Sequence, residues 1–255
     1  MWTPDVYEGA PTPITAFFSI APKIAAMILL SRVLLEPFGG LFIQWQQVIC
    51  FISIASMAFG AFAAINQTNI KRLMAYSSIG HMGFVLVGLA SGSIAGLQAV
   101  LLYLTVYLFM NVGTFACILA MKRDDRMVEE INQLAGLSRT NPKMTIALTV
   151  FMFSMAGIPP LAGFFGKYFI FKAAIDAELY TLTVIGLLAS VVSAFYYLRI
   201  VKLMYFDEAV DKFDRSIGKE ISFITIGMSF VTTLFIIILW PVLDFAAIAA
   251  SSIFL

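Results

Sequence analysis

The chain has 255 residues, of which 61% are hydrophobic and only 12% are charged. Soluble domains carry about 25% charged residues, so this chain lacks the charge needed to cover a soluble surface. We therefore expect an integral membrane protein. The formal net charge of +1 gives no indication of a nucleic acid partner. The two cysteines lie in apolar runs and have neither disulfide nor metal-ligand spacing.

Long apolar stretches follow one another along the whole chain. A helix needs about 20 largely apolar residues to cross a bilayer. Seven stretches qualify: residues 14–35, 42–65, 72–90, 94–121, 143–173, 179–205 and 217–240. The apolar tail after Trp240 and Pro241 is short and is expected to lie at the membrane surface. Residues 1–255 are thus predicted to form one transmembrane domain, an all-α bundle of about seven membrane helices.

Lysine and arginine are distributed unevenly between the two ends of these spans. The basic connections are residues 71–72, 122–143 and 199–219, whereas the alternate connections carry few basic residues. The positive-inside rule places the basic connections and the N-terminal segment in the cytoplasm and the C-terminus outside.

The longest connection contains apolar residues at helical spacing: Met127, Val128, Ile131, Leu134 and Leu137. This spacing predicts a short amphipathic helix on the cytoplasmic surface. An alternative is that these residues dock a neighbouring subunit.

Three titratable residues lie deep within different spans. Lys23 lies nine residues into the first span, roughly 13 Å deep at about 1.5 Å per residue. His81 and Lys167 lie near the middle of the third and fifth spans. A lysine at the centre of a membrane helix costs about 2.5–3.5 kcal/mol, so two of them indicate a wet cavity, a partner or a function.

Proton transfer is the function that these residue types favour. Desolvation favours the neutral form of a lysine, and histidine changes charge near neutral pH, so both can load and release protons. The structural alternative is a pair of lysines bonded to helix carbonyls and a histidine satisfied in the core. The acidic residues all lie in loops or at span ends.

The backbone near both lysines is expected to be irregular. Pro22 directly precedes Lys23 and lacks an N–H. The fifth stretch contains two prolines and three glycines before Lys167: Gly157, Pro159, Pro160, Gly163 and Gly166. Discontinuous helices of this kind mark ion sites in transporters, and non-helical backbone at membrane depth must be satisfied by protein or water. We predict that this one span is broken.

In these segments the sequence resembles the antiporter-like membrane subunits of respiratory complex I, the NADH:quinone oxidoreductase, and most closely their subunit N branch. The matching strings are MWTPDVYEGAPTP (1–13), APK (21–23), NIKRLMAYSS (69–78), HMG (81–83) and GIPPLAGFFGK (157–167). The resemblance implies a fourteen-helix fold built from two inverted five-helix repeats, each with one broken helix. By that likeness this chain corresponds to the last seven helices, the C-terminal half.

The resemblance also implies residue roles. Lys23 matches the family's central lysine, Lys167 the lysine on the second broken helix, and His81 a polar residue linking them through water. Lys71 matches a supporting basic residue. The outward half-channel is thus expected here, whereas the inward one, with the family's membrane glutamate, would precede residue 1. We therefore expect that the chain alone does not conduct protons, and that its face near Lys23 is polar.

The resemblance implies a translocase subunit without its own redox centre. It would couple quinone reduction to proton transfer within a hetero-oligomer of complex I membrane subunits. Quinone, NADH, FMN and iron–sulfur clusters would belong to partner subunits, and no metal would bind this chain. The expected location is a bacterial inner membrane rather than a mitochondrial one. Two alternatives are a subunit of a cation/proton antiporter complex and a non-conducting structural segment of the membrane arm.

Overall fold

The computed structural model describes residues 2–124, 126–210, 212–214 and 218–253. The α-helices in these ranges are α1 (Thr3–Gly9), α2 (Thr12–Leu35), α3 (Phe42–Ile65), α4 (Ile70–Ala90), α5 (Ile94–Leu119), α6 (Leu137–Thr140), α7 (Pro142–Ala156), α8 (Ala162–Asp176), α9 (Tyr180–Phe206), α10 (Lys219–Thr233) and α11 (Phe235–Ser251). Two short 3-10 helices, Gly39–Leu41 and Ile131–Leu134, and a hairpin of β1 (Lys122–Arg123) and β2 (Arg126–Met127) lie between them.

The predicted helical membrane architecture is confirmed. Five segments, containing α2, α3, α4, α5 and α9, are 21–27 residues long and apolar enough to cross a membrane. The bent pair α10–α11 raises the number of spanning segments to six within the described ranges. The pair α7–α8 lies where the remaining predicted span was expected. Most residues of α4 and α5 are buried, so these two helices form the centre of the bundle.

The predicted break in the fifth span is also confirmed. α7 ends at Ala156 and α8 begins at Ala162. Gly157 closes α7 with a φ of 90°, in the left-handed region that favours glycine. Neither Pro159 nor Pro160 has the N–H that a continuing helix would need. The chain therefore forms two half-helices of 15 residues each.

The last predicted span is wrong in its boundaries, and a second interruption is present. α10 ends at Thr233, and α11 leaves it at an angle of 80°. The tail is not a short surface end, because α11 continues through Pro241 to Ser251. Every third or fourth residue of α11 is buried: Phe235, Leu239, Leu243, Ala246 and Ala250. Packing of this face against the bundle, with Gln98 Nε2 donating to the Leu243 carbonyl at 3.0 Å, outweighs the helix-breaking tendency of proline.

The prediction of an amphipathic helix in the longest connection is wrong. Instead, β1 and β2 pair antiparallel, with Lys122 opposite Met127. The backbone of this segment then bonds to the start of α4, because Ile131 N donates to the Thr68 carbonyl at 2.7 Å. Gly136, with a φ of 62°, interrupts any longer helix. The apolar side chains that suggested a helix or a docking face are buried within the chain: Ile131, Leu134 and Leu137.

The three basic connections meet at one end of the bundle, as the alternation of charges predicted. Three backbone hydrogen bonds join them: Ile70 N to Glu129 O at 2.8 Å, Gly136 N to Leu203 O at 3.0 Å, and Asp214 N to Lys122 O at 2.8 Å. We call this the basic end. The N-terminal segment belongs to it as well, because Arg72 forms ion pairs with Asp5 at 2.7 Å and Glu8 at 2.9 Å.

Glycines let α3 and α4 approach each other closely beside the centre of the bundle. A Cβ atom at Gly60 would lie 2.6 Å from the backbone nitrogen of Gly80, and one at Gly83 would lie 2.9 Å from the backbone nitrogen of Met57. Small residues of this kind allow close contact between membrane helices. The approach fixes the segment of α4 that carries His81.

Candidate functional site

Lys23 lies at the middle of α2, and its ammonium group is held by hydroxyl groups from two other helices. Its Nζ donates to the hydroxyl of Tyr7 on α1 and to Oγ of Ser78 on α4. Tyr107 on α5 extends this cluster, because its hydroxyl lies 2.9 Å from Ser78 Oγ, from which it can accept, and donates to the Ser19 carbonyl at 3.2 Å. Pro22 lies inside α2 without ending it. Lys23 is thus the half-buried member of an otherwise buried polar cluster.

Tyr7 closes the Lys23 cluster from the N-terminal segment. The Lys23 ammonium also lies 4.7 Å from the centroid of the Tyr7 ring, a cation–π contact. Burial raises the pKa of the Tyr7 phenol above its ordinary value, so the phenol remains a proton donor and acceptor in its neutral form. The sequence analysis did not predict that Tyr7 contacts Lys23. It considered long apolar spans, and α1 is only seven residues long.

His81 is buried at the middle of α4 between two tyrosines. Its Nδ1 lies 2.6 Å from the Tyr103 hydroxyl, and its Nε2 lies 3.1 Å from the Tyr197 hydroxyl. Tyr197 also shares a hydrogen bond of 2.5 Å with Ser77. A neutral imidazole has one donor and one acceptor nitrogen, and each hydroxyl can play either part. The ring can therefore exchange protons with either tyrosine as it changes tautomer.

Lys167 on α8 is buried against the break in the fifth span. Its Nζ donates to the carbonyls of Met155 and Ala156, both at 3.0 Å, and to Ser190 Oγ at 2.9 Å. These are the carbonyls that would accept from residues 159 and 160 in a continuous helix, and both of those residues are prolines. The two prolines thus free two oxygens, and the ammonium group takes them. The carbonyl end of α7 also carries the negative end of the helix dipole.

Two glycines let α8 reach this position. A Cβ at Gly163 would lie 1.9 Å from the Ser154 carbonyl oxygen, and one at Gly166 would lie 3.0 Å from Cδ2 of Tyr103. Gly163 N also donates to Ser154 Oγ at 2.9 Å, which ties the start of α8 to α7. The glycines that the sequence singled out therefore let α8, which carries Lys167, pack closely against α7 and α5.

Lys23 is bonded to a residue one turn from His81, and His81 and Lys167 line one void, but the three groups are not joined by hydrogen bonds between described residues. Lys23 is bonded to Ser78, and His81 to Tyr197, whose other partner is the adjacent Ser77. A small internal void separates His81 from Lys167. Its other lining residues are Ser77, Gly80, Phe84, Met155, Ser193, Tyr196 and Tyr197. Water or rotation of a hydroxyl would be needed to carry a proton across each gap.

Lys71 lies apart from Lys23, His81 and Lys167, at the basic end of α4. It is buried, and its Nζ forms an ion pair with Glu129 Oε1 at 2.7 Å and donates to the Ala10 carbonyl at 2.9 Å. Asn69 caps the helix by accepting from the backbone N–H groups of residues 71 and 72. Lys71 thus ties α1, α4 and the longest connection together, and its carboxylate partner is in a loop.

We expect Lys71→Gln to lower stability, because it leaves Glu129 without its cation. The Glu129 side chain is 25% exposed, so the cost is about 1–3 kcal/mol rather than that of a fully buried pair. The thermal midpoint of the detergent-solubilised protein should fall by roughly 2–12 °C. Lys202→Gln is the matched control, because its pair with Asp207 is exposed and should contribute little. Equal midpoints for the two variants would contradict this account of Lys71.

The expectation of a polar face near Lys23 is not met among the exposed side chains of α2 around that residue, which are apolar: Phe17, Phe18, Ala21, Pro22, Ala25, Ala26 and Leu29. The physical reason is that the Lys23 side chain turns inward, where Tyr7 and Ser78 satisfy it. An apolar face suits both lipid and another membrane helix.

The partners of the three titratable residues are mostly tyrosines and serines, which the sequence analysis missed. One signal was present: Tyr103 and Tyr107 are four residues apart and share a face of α5. Within the described ranges, no group of three or more His, Cys, Asp and Glu residues is placed to hold a metal ion.

Comparisons with known proteins identify the family of the chain. Residues 1–193 match the family described as NADH:quinone oxidoreductase/Mrp antiporter, TM. The chain is 59% identical over 254 residues to NADH-quinone oxidoreductase subunit N of Paramagnetospirillum magneticum, covering 100% of this chain and 52% of that protein. It is 60% identical over 253 residues to subunit N of Rhodospirillum rubrum, covering 99% and 52%. The chain thus spans about half the length of these curated relatives.

Solved structures give the same result. A chain of respiratory complex I from Thermus thermophilus with bound Aureothin has a TM-score of 0.81 and 32% identity, covering 95% of this chain and 53% of that one. A chain of the Mrp complex from Dietzia sp. DQ12-45-1b has a TM-score of 0.90, covering 99% and 55%. Its identity of 22% shows a shared fold alone. Because the family model matches residues 1–193, this chain belongs to the membrane family described as NADH:quinone oxidoreductase/Mrp antiporter, and it is similar to part of the NADH-quinone oxidoreductase subunit N proteins.

Proposed function

We propose that this chain forms part of a proton-translocating subunit N of NADH:quinone oxidoreductase and carries protons past Lys23, His81 and Lys167. One observation supports the proposal above the others. Three titratable side chains from α2, α4 and α8 are held by neutral hydrogen-bonding groups inside one helical bundle. A purely structural role would account for the bonds of Lys167 to helix carbonyls, but not for a second lysine, Lys23, held by hydroxyls where its charge is costly.

The neutral partners of these residues are compatible with repeated protonation and deprotonation. A lysine paired with a carboxylate would be locked in its charged form, whereas hydroxyls and carbonyls also tolerate the neutral amine. Tyrosines on both sides of His81 supply groups that donate and accept at once. We infer that rotation of hydroxyl groups closes the gap beside Ser78, and that the void between His81 and Lys167, which has no room for a water molecule as it stands, widens transiently to admit one.

The redox chemistry would belong to partner subunits of the same membrane hetero-oligomer. NADH, FMN, iron–sulfur clusters and quinone would be bound there, and this chain would act as a non-redox part of the translocase. The proposed location is the bacterial inner membrane. The positive-inside rule would place the basic end in the cytoplasm and the C-terminus outside.

A cation/proton antiporter subunit is the second candidate. The matching family includes Mrp antiporters, and the fold is shared with a chain of the Mrp complex. In that case a sodium or potassium gradient would drive proton movement through the same residues without NADH. A structural segment of the membrane arm is the third candidate, in which the lysines would carry no protons.

Inverted membrane vesicles with the assembled complex separate the three candidates. With NADH and quinone, the unmodified chain should support acidification of the vesicle interior, and Lys23→Ala should lower the rate by at least about fivefold. Arg32→Ala, on the same helix but exposed, is the matched control. Cation-driven proton movement without NADH would favour the antiporter, and full pumping with Lys23→Ala would favour the structural segment.

A further inference from the structure

A large groove opens between α5, α7 and α10, away from the three titratable residues. Its volume is about 1010 Å³, at the upper end of the roughly 300–1,000 Å³ typical of small-molecule sites. The walls are mostly apolar, with Ala120, Ile146, Ala147, Ile226, Phe230 and Leu234 among the lining residues. Nothing in the proposed proton path uses this groove.

The length of the groove matches one leaflet of a bilayer. Along α10 its lining runs from Ser222 to Thr233, about 16 Å at about 1.5 Å per residue. Half of a hydrocarbon core of about 30 Å is about 15 Å. An occupant would therefore extend from the basic end of the bundle to near the membrane midplane.

Charge is concentrated at the basic end of the groove. Lys143, at the start of α7, and Lys212, in the segment after α9, both line it and are exposed. In the described part of the chain, neither lysine has an ion-pair partner, and none of the lining residues is acidic. Basic pockets between membrane helices of this kind suit anionic lipid head groups.

Hydroxyl groups follow the lysines along one wall. Ser222, Thr225 and Ser229 recur on one face of α10 at helical spacing, opposite the apolar residues of α5 and α7. Thr225 donates its hydroxyl to the Ile221 carbonyl at 2.8 Å, so Ser222 and Ser229 are the residues that can donate to ester oxygens while the rest of the wall packs against a hydrocarbon chain. From the basic end inward, the walls of the groove thus present cationic side chains first, then hydroxyl groups, and then hydrocarbon side chains.

We propose that the groove binds one anionic phospholipid from the leaflet at the basic end. Its phosphate lies at Lys143 and Lys212, its ester oxygens face Ser222, and an acyl chain lies along α10 towards Thr233. This site does not depend on the proposed proton path, because binding is measured without proton flux.

Native mass spectrometry of the full chain in detergent tests the proposal. After delipidation, phosphatidylglycerol should bind about tenfold or more tightly than phosphatidylcholine with the same acyl chains. Lys143→Gln and Lys212→Gln should each weaken phosphatidylglycerol binding about fivefold and leave phosphatidylcholine binding unchanged. Lys172→Gln, which removes an exposed charge outside the groove, is the matched control.

A second variant tests the hydrocarbon part of the site. Ser229→Phe should fill the groove and weaken binding of both lipids, whereas Thr181→Phe on the exposed face of α9 should not. Equal affinity of the unmodified chain for the two lipids would overturn the proposal, and so would an equal loss with Lys172→Gln. Displacement of the bound lipid by a short-chain quinone, with no preference for anionic lipid, would overturn it in favour of a quinone site.

Discussion

Replacing Lys167 with alanine should remove most of the NADH-driven proton pumping of the assembled complex and lower its quinone reductase activity with it. A positioned group that transfers protons contributes about 10²–10⁴-fold in rate, so we expect a loss of about tenfold or more. The alanine removes the only ammonium group that the described residues place at the break between α7 and α8. Acidification of inverted vesicles, normalised to the amount of assembled complex, measures the effect.

Lys172→Ala supplies the matched control, because Lys172 is on the same half-helix and is exposed. It should pump at the rate of the unmodified complex. Lys167→Arg keeps a charge that does not deprotonate, so it should assemble normally and still fail to pump. Normal pumping with Lys167→Ala would show that the lysine only neutralises the carbonyl end of α7, and the chain would then be a structural segment.

The break and the lysine depend on each other physically. When Lys167 is charged, its ammonium group satisfies the two carbonyls that the prolines leave without a backbone donor. It also lies at the negative end of the α7 dipole, which is worth up to about 2 kcal/mol in partly buried geometry. When the lysine is neutral, these oxygens are less well satisfied. Loss of the proton therefore weakens the attraction between Lys167 and the carbonyl end of α7 at the junction of the half-helices.

Some of this site could be predicted from the sequence, because the rules involved are local. A double proline cannot continue a helix, so the break before Lys167 follows from chain chemistry alone. The depth of Lys23 and His81 follows from counting residues along a span. These predictions needed no knowledge of which helices are neighbours.

The rest could not be predicted because it depends on tertiary packing. Ser78 and Tyr107 are on different helices, and only the packing of α2 against α4 and α5 brings them to Lys23. Pro241 was interpreted as the end of a helix, but burial of Leu239 and Leu243 outweighs it. In both cases a contact between distant parts of the chain determines the local structure. The hydrophobic periodicity of one segment does not predict such contacts.

Gly163→Ala should disrupt the site almost as strongly as loss of Lys167, although alanine adds only one carbon. The new Cβ would lie 1.9 Å from the Ser154 carbonyl oxygen, a backbone atom that cannot rotate away. Overpacking of this kind costs about 1–3 kcal/mol, and relief requires α8 to move away from α7. The displacement would lengthen the contacts of Lys167 with the carbonyls of Met155 and Ala156, now 3.0 Å each. We therefore expect a lower thermal midpoint together with a severalfold loss of pumping per assembled complex.

Gly227→Ala is the matched control, because a Cβ at that position on α10 would meet nothing within 4 Å. It should leave the pumping rate unchanged and should not lower the midpoint, because alanine favours a helix interior over glycine by about 1 kcal/mol. The two readouts also separate a general folding defect from a defect of the site. Lys71→Gln should lower the midpoint but spare pumping in the complex that assembles, since Lys71 lies at the basic end, whereas Gly163→Ala should lower both. A Gly163→Ala protein with normal stability and normal pumping would contradict the close packing of α8 on α7, and with it the proposal that this junction positions Lys167.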